Sequence, residues 1–351
     1  MSRLLGVIVL VGIIFVAGYV LMNYNINVQR DEKGNLQLAT VTPREPDANP
    51  ASPSAAGNSP TTPDADPAPV NPAEICPPIR IASFDATRLD EAKLANRQVA
   101  DVLARLVPKF DLVAVQDIRA SNQGVLVRLI EQINTTSGRK FRFASAPNAG
   151  IPPNEQYCAF IFDDAKIAID HTLAYSVQDP AGLFRHVPIV AAFRARGPEP
   201  NQAFTFKLIN VHIDRDRAFE LDSLDDVYRA VRGEGSNEDD IIMLGNFGVE
   251  NSGPGDERLG QLGAILDITS AVTDTPTTPR SRKPIDNILF DRRATSEFTG
   301  RADVMDLMRE FDLTLRESLE VSDHQPVWAE FSPYEGGQSG HVAEGDGPTT
   351  R

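Results

Sequence analysis

The run Leu4–Met22 (LLGVIVLVGIIFVAGYVLM) is apolar on every face and carries no charge. Its 19 residues would span roughly 28 Å as a helix, close to the ~30 Å hydrocarbon core of a bilayer. The pattern predicts a transmembrane anchor within residues 1–24. A cleaved signal peptide would have a shorter apolar run and end in a small-x-small site, whereas Asn23-Tyr24-Asn25 follows here. Beyond it, Ile26 and Val28 alternate with polar residues, as do Leu36 and Leu38 across a turn at Gly34. That reads as a small hairpin over 25–41 or as an extended segment beside the membrane. Residues 42–78 show no apolar periodicity and hold 11 of the 26 prolines, which predicts an unfolded linker. Residues 334–351 read as a polar, Gly-rich tail.

Between linker and tail, residues 79–333 form one block in which strand-like and helix-like segments alternate. Ile79–Phe84, Asp111–Gln116, Tyr157–Phe162, Val187–Phe193, Phe204–Val211, Ile241–Leu244, Ile285–Phe290 and Pro326–Phe331 read as strands. Glu91–Leu106 places Leu94, Val99, Val102, Leu103 and Leu106 on one helical face, and Val125–Ile133 and Leu221–Val231 also read as helices. Many strands with a few long helices predict an α/β (α+β) domain with two packed sheets.

Composition narrows the function. A hydrophobic fraction of 41% supports a core, and two cysteines make neither a disulfide framework nor a four-thiolate zinc site. A net charge of −15 argues against holding nucleic acid tightly by bulk electrostatics, though not against an enzyme that cuts it and lets go. Arg3 and the very short N-terminal tail point to the tail staying inside and the bulk being exported, on a periplasmic or extracellular side.

Candidate chemistry sits where the apolar runs end. Asp85 follows IRIASF, Gln116 and Asp117 follow DLVAV, and His212 follows FTFKLINV. Asn246 follows IIMLG, Asp286 opens DNILF, and Asp323 and His324 precede the final strand. A lone Asp at a strand end is usually a turn or cap residue. Two histidines with several carboxylates at many strand ends would instead suit metal-assisted attack of water on a phosphate.

The ordered segments SFD, VQDIR, NEQYCAFIF, INVHID, LGNFGVE, PIDNILF and SDHQPV resemble the endonuclease/exonuclease/phosphatase superfamily, in its deoxyribonuclease I-like arm. The resemblance implies a four-layer sandwich, with two mixed six-stranded sheets packed face to face and helices outside. It implies hydrolysis of phosphodiesters or phosphomonoesters with Mg²⁺ (or Mn²⁺), helped in some members by Ca²⁺. By resemblance His212 and His324 are the catalytic histidines, with Glu155 and Asp286 as their carboxylate partners. Asp85, Asp117, Asp323 and Asn246 fall at the metal site, Arg185 at a phosphate contact, and Arg119 at a contact to the DNA minor groove.

The departures are specific. Asp117 stands where the family has a glutamate, and Asp85 where it has an asparagine. The Gly-Asp-Phe-Asn motif is Gly245-Asn246-Phe247-Gly248 here. Asp85 and Asn246 look like an exchange that keeps the carboxylate count, while nothing replaces the side chain lost at Gly248. Two readings follow: a membrane-anchored, metal-dependent nuclease-like phosphodiesterase of weakened activity, or an inactive phosphoesterase-like domain that binds a ligand or a protein. Cys158 reads as a packed thiol, and a disulfide to Cys76 stays open.

Overall fold

A computed structural model describes residues 24–30, 36–43, 76–120, 123–146, 156–214, 218–234, 238–249, 259–263, 265, 268–280 and 284–337. The chain separates into one unit of Asn27–Val41 with Cys76–Arg351, and another of Met1–Ile26 with Thr42–Ile75. The expected anchor at Leu4–Met22, most of the linker and most of the tail lie outside the described residues. Among the described residues no helix is long and apolar enough to cross a membrane.

The strands are β1 Tyr24–Arg30, β2 Leu36–Pro43, β3 Ile79–Leu89, β4 Leu112–Arg119, β5 Phe141–Ala146, β6 Gln156–Asp163 and β7 Ile167–Ser176. They continue with β8 Ile189–Ala195, β9 Thr205–His212, β10 Ile241–Asn246, β11 Ile268–Ser270, β12 Asp286–Asp291, β13 Phe298–Val304 and β14 Val327–Phe331. One sheet runs β1-β2-β5-β6-β4-β3-β14-β13 and the other β11-β12-β10-β9-β8-β7. Both are mixed: β3 pairs parallel with β4 and β9 with β10, each among antiparallel neighbours. The first sheet has eight strands rather than the six the resemblance implies, because β1 and β2 extend its edge. There Ala39–Val41 of β2 pair with Phe143–Ser145 of β5.

Period-two alternation explains the layering. Ile81 of β3, Leu112 and Ala114 of β4, Phe160 and Phe162 of β6, Phe206 and Leu208 of β9, Ile242 and Leu244 of β10 and Ile288 and Phe290 of β12 share the core between the sheets. Phe160 meets Phe193 of β8 edge-on there, with ring centroids 5.3 Å apart. The alternate residues Ala82, Phe84, Val113 and Val115 pack under α2 (Arg97–Leu106) and α3 (Gly124–Ser137). Ile209, Val211, Ile241 and Met243 pack under α5 (Leu224–Arg232), which follows the short α4 (Ala218–Asp222). Central strands buried on both faces are mostly apolar, so their polar residues cluster at the ends, apart from hydrogen-bonded exceptions such as Lys207 and Asn210 of β9.

The helix expected over Glu91–Leu106 is two helices. α1 (Glu91–Ala95) ends at Asn96, whose backbone is extended and whose Oδ1 accepts the Gln98 amide to open α2. Short helices at Leu307–Phe311 and Leu315–Val321, the latter opened by a Thr314–Glu317 capping box, precede the last strand.

Candidate active site

Continuing the alternation past the last apolar residue builds the site. Residues 81 and 83 of β3 face the other sheet, and so does Asp85; 208 and 210 lead to His212, 242 and 244 to Asn246, and 290 and 288 back to Asp286. The register brings these ends level: Asn246 lies opposite His212 on one side and Asp286 on the other, and Asp85 opposite Gln116. Just beneath, Gln116 Nε2 donates across the sheets to Asn210 Oδ1 at 2.7 Å, and Asn210 Nδ2 to Ala159 O at 3.1 Å. These buried amides have hydrogen-bond partners, so they close the core without an orphaned polar group.

Gly245 makes the close approach of β9 and β10 feasible. Its φ is +151°, and a Cβ there would stand 1.9 Å from Val211 O. Only glycine removes that collision.

Asp85 is the centre of the constellation. Asn246 Nδ2 donates to its Oδ2 at 2.9 Å, and Thr87 N to its Oδ1 at 2.9 Å. Nε2 of His212 and Nε2 of His324 stand 3.4 and 3.8 Å from the same Oδ2. Burial acts to raise the Asp85 pKa, but His324, then His212, with the hydrogen bonds from Asn246 and Thr87, outweigh it and hold the acid at about 2. His324 Nδ1 faces Asp286 Oδ2 at 2.8 Å. Burial works against an imidazolium at His324, yet the Asp286 and Asp85 carboxylates push its pKa up to about 10. The Ser322 hydroxyl braces this corner, donating to Asp85 O at 2.6 Å while accepting the His324 amide at 2.9 Å.

The other expected residues are placed as follows. Asp117 has a φ of +54° where the β3–β4 and β4–β6 registers slip, so the alternation breaks there. Its Oδ1 accepts Arg119 Nε at 2.7 Å and its Oδ2 the Arg88 amide at 2.8 Å. Arg119 therefore folds back onto Asp117 rather than reaching outward. Arg185 Nη1 is paired with Asp214 Oδ2 at 2.7 Å. Asp323 is exposed and accepts the Thr87 hydroxyl at 2.5 Å. Asn246 turns its amide to Asp85 and its Oδ1 to the Gly248 N–H at 2.9 Å, so both of its polar atoms are engaged. Glu155 lies outside the described residues. Cys76 and Cys158 are both free thiols, and Cys158 is buried in β6.

Three residues not singled out from sequence stand at the site. Gln156 is one: Cys158, Phe160 and Phe162 face the opposite sheet, so alternation carries Gln156 there too, with its Nε2 2.7 Å from His212 Nδ1. As placed, the amide donates to Nδ1, which puts the imidazole proton on Nε2; turning the amide over would reverse the tautomer. His186 is the second, stacked on His212 with centroids 5.0 Å apart and planes 14° apart. Burial, then the charges of His212 and Arg185, lower the His186 pKa to about 3. Its only sequence signal was its place beside Arg185.

Lys93 is the third. Its Nζ donates to Ala86 O at 2.6 Å and to Thr87 O, pinning the left-handed turn at Thr87 and Arg88. Burial lowers its pKa to about 8 against the pull of Asp85, Asp117 and Asp323. The three carboxylates thus share a field that already attracts one cation. All three offer carboxylate oxygens, the donor type a hard divalent ion takes, although among the described residues they do not gather within ligand reach of one another.

No family model matches the chain. It is 28% identical over 261 residues to a Deoxyribonuclease-1-like 1 of Cricetulus griseus, covering 72% of this chain and 84% of the relative. Over this span the chain is similar to deoxyribonuclease I-like proteins, and that similarity supports the endonuclease/exonuclease/phosphatase superfamily. Solved structures share this fold. An endonuclease/exonuclease/phosphatase of Bacteroides vulgatus superposes with a TM-score of 0.52 at 13% identity, over 73% of this chain and 98% of that one. TDP2 of D. rerio, complexed with a single-strand DNA product, superposes with a TM-score of 0.51 at 13% identity, over 72% and 98%. Within this sandwich the chain puts Asp85, His212, Asn246, Asp286 and His324 at one end of the paired sheets.

Proposed function

We propose that the chain is a membrane-anchored phosphodiesterase that hydrolyses nucleic acid or another phosphodiester. The observation that carries this reading is the convergence of two imidazole Nε2 atoms, at 3.4 and 3.8 Å, on one oxygen of Asp85. Relatives named deoxyribonucleases and a neighbour holding a DNA product support the substrate class.

In this reading a phosphate enters beside Asp85. His324, kept protonated by Asp286 and Asp85, donates its Nε2 proton to the leaving oxygen as the P–O bond breaks. His212 takes a proton from the attacking water as the new P–O bond forms. For that it needs a bare Nε2, hence a proton on Nδ1 facing an acceptor; Gln156 Oε1 or the Glu155 carboxylate would serve. A divalent cation, Mg²⁺ or Mn²⁺, would be held by Asp85 and Asp117 near Asp323, and would neutralise charge on the phosphoryl oxygens. Gly248 offers no side chain to the phosphate, which makes this a slow member; losing one such donor typically costs ~10²–10³ in rate.

The test is cleavage of plasmid DNA, RNA and simple phosphodiesters by the purified full chain with Mg²⁺ or Mn²⁺. His212→Ala and His324→Ala should each lower the rate ~10²–10⁴-fold. Cleavage that survives both substitutions would overturn the assignment. A second reading, an inactive phosphoesterase-like domain that binds a ligand or a protein, is supported by the departures at Asn246 and Gly248 and by the engagement of Arg119 by Asp117 and of Arg185 by Asp214, which turns both arginines away from an incoming phosphate. It predicts no turnover of any of these substrates by the folded chain. The anchor reading predicts that alkaline carbonate leaves the full chain in the membrane fraction, and that deleting residues 4–22 releases it.

A further inference from the structure

The far end of the sandwich gathers a second set of acids. Asp240 immediately precedes β10, Glu297 precedes β13, and Glu335 lies just beyond β14. One carboxylate oxygen from each of these three lies within 4.8 Å of the others, and Glu238 and Asp239 form an overlapping group with Asp240. β10 is six residues long, so at about 3.3 Å per residue Asp240 stands roughly 20 Å from Asn246.

What distinguishes this cluster from an acidic patch is its unmet valence. Asp240 and Glu297 are each 2% exposed. Asp240 Oδ1 and Glu297 Oε2 are shut off from solvent and make no hydrogen bond of ordinary geometry, and the buried Thr295 hydroxyl offers Asp240 only a weak one. The other contacts include Gly336 N to Glu297 Oε1 at 2.6 Å, Thr205 N to Glu335 Oε2 at 3.2 Å, Asp240 N to Glu238 Oε1 at 2.9 Å and the Thr205 side chain on Glu238. Lys207, the buried lysine of β9, bonds Glu234 Oε2 at 3.1 Å and Val231 O at 3.3 Å and partly offsets Glu238.

Several ionised carboxylates cannot share a dry pocket uncompensated. Burial, then the charges of Glu297 and Glu238, push the Asp240 pKa up to about 10, and burial raises Glu297 to about 7. The pocket therefore holds protons or a cation. Ca²⁺ binds oxygens at about 2.3–2.6 Å, so ligands on its opposite sides stand about 5 Å apart, whereas Mg²⁺ demands a tighter octahedron. Separations of up to 4.8 Å leave room for such an ion, and the flexible geometry of Ca²⁺ tolerates ligands drawn from three separate elements better than the Mg²⁺ octahedron does.

We propose that Asp240, Glu297 and Glu335, with Glu238 and the Thr295 hydroxyl beside them, form a structural site for one Ca²⁺-sized divalent cation remote from the histidines. Such an ion would clamp the start of β10, in the six-stranded sheet, to the ends of β13 and β14 in the eight-stranded one. It would act on stability and not on the chemistry, so it stands whether or not the chain is a phosphodiesterase.

The test strips the full chain with EDTA and follows its Tm as CaCl₂ is added. Wild type and Asp85→Asn should both gain about 5–10 °C at a hundredfold excess over Kd. Asp240→Asn/Glu297→Gln should lose that gain, and should melt no lower than cation-free wild type because the amides remove the repulsion. Calorimetric titration of Asp85→Asn should count one Ca²⁺ per chain, which keeps the proposal testable if the double variant does not fold. A wild-type chain indifferent to millimolar Ca²⁺, a gain undiminished in a folded double variant, or a count of zero would each overturn the site.

Discussion

The two ends of the sandwich handle the same problem, buried acid, in opposite ways. At the histidine end, Asp85 is as buried as Asp240 is at the other, yet its pKa falls to about 2 while that of Asp240 climbs to about 10. The difference lies in the company each keeps. Asp85 has two imidazoles, an amide and a backbone N–H around it, whereas Asp240 has Glu297 and Glu238. Burial by itself therefore does not decide whether a carboxyl is charged; the sign of its neighbours does. One end stores a fixed negative charge in a cage of donors, and the other stores an unfilled demand for positive charge.

The sharpest way to break the contrast is Asp85→Asn. It removes the charge both imidazoles face, and the cleavage rate should fall ~10³-fold or more; NMR titration should find the His324 pKa moved down from about 10. Gly245→Ala should come next. The added methyl meets Val211 O, forcing β9 and β10 apart at a cost of about 2–4 kcal/mol, read in urea melts. The far-end charge should be indifferent to it.

The pH dependence sharpens the comparison further. The folded pKa of Asp85 is depressed, so its contribution is present above 3.8 and lost as pH falls through about 2. That of His324 is raised, so its contribution is full below 6.5 and lost as pH rises through about 10. The folded pKa of Asp240 is raised too; being an acid, it favours the folded state below 3.8 and withdraws that support as pH rises toward about 10. Cation-free melts should therefore lose Tm between pH 6 and 9, and Asp240→Asn should flatten that slope. The smallest effect belongs to Gln156→Ala, which should lower cleavage about 10- to 100-fold by freeing the His212 ring. An unchanged rate would assign the orienting role to Glu155.

Much of this was legible from alternation alone. Strands buried on both faces announce themselves as largely apolar runs ending in the site residues, unbroken over residues 112–115 and interrupted only by Lys207 and Asn210 over residues 206–211. The edge strands do not. Phe298–Val304 is largely exposed, carries Gly300 and shows no apolar run, and Ile167–Ser176 mixes Asp170, His171 and Thr172 into a half-buried pattern. Helix breaks were hidden for another reason: Asn96 sits inside an apolar periodicity that continues on both sides, and only its capping geometry ends one helix and starts the next. Gln156 is less legible because the neighbouring Glu155 is the stronger chemical signal, although the parity of Cys158, Phe160 and Phe162 carries Gln156 to the same face. The far-end cluster was invisible because Asp240, Glu297 and Glu335 meet only once the sheets have paired.

The hydrogen bond from Asn246 to Asp85 also constrains how such a site can arise. The resemblance pairs an asparagine at the first position with an aspartate at the second, the mirror of what stands here. One substitution at a time, the exchange passes through two aspartates or two asparagines. Two aspartates would set like charges in contact, which calls for a shared proton or an added cation; two asparagines would leave both imidazoles facing a neutral group. Neither intermediate keeps the electrostatics of the end states, so the two positions are physically coupled, and either residue transplanted alone into a relative should cost more than the pair.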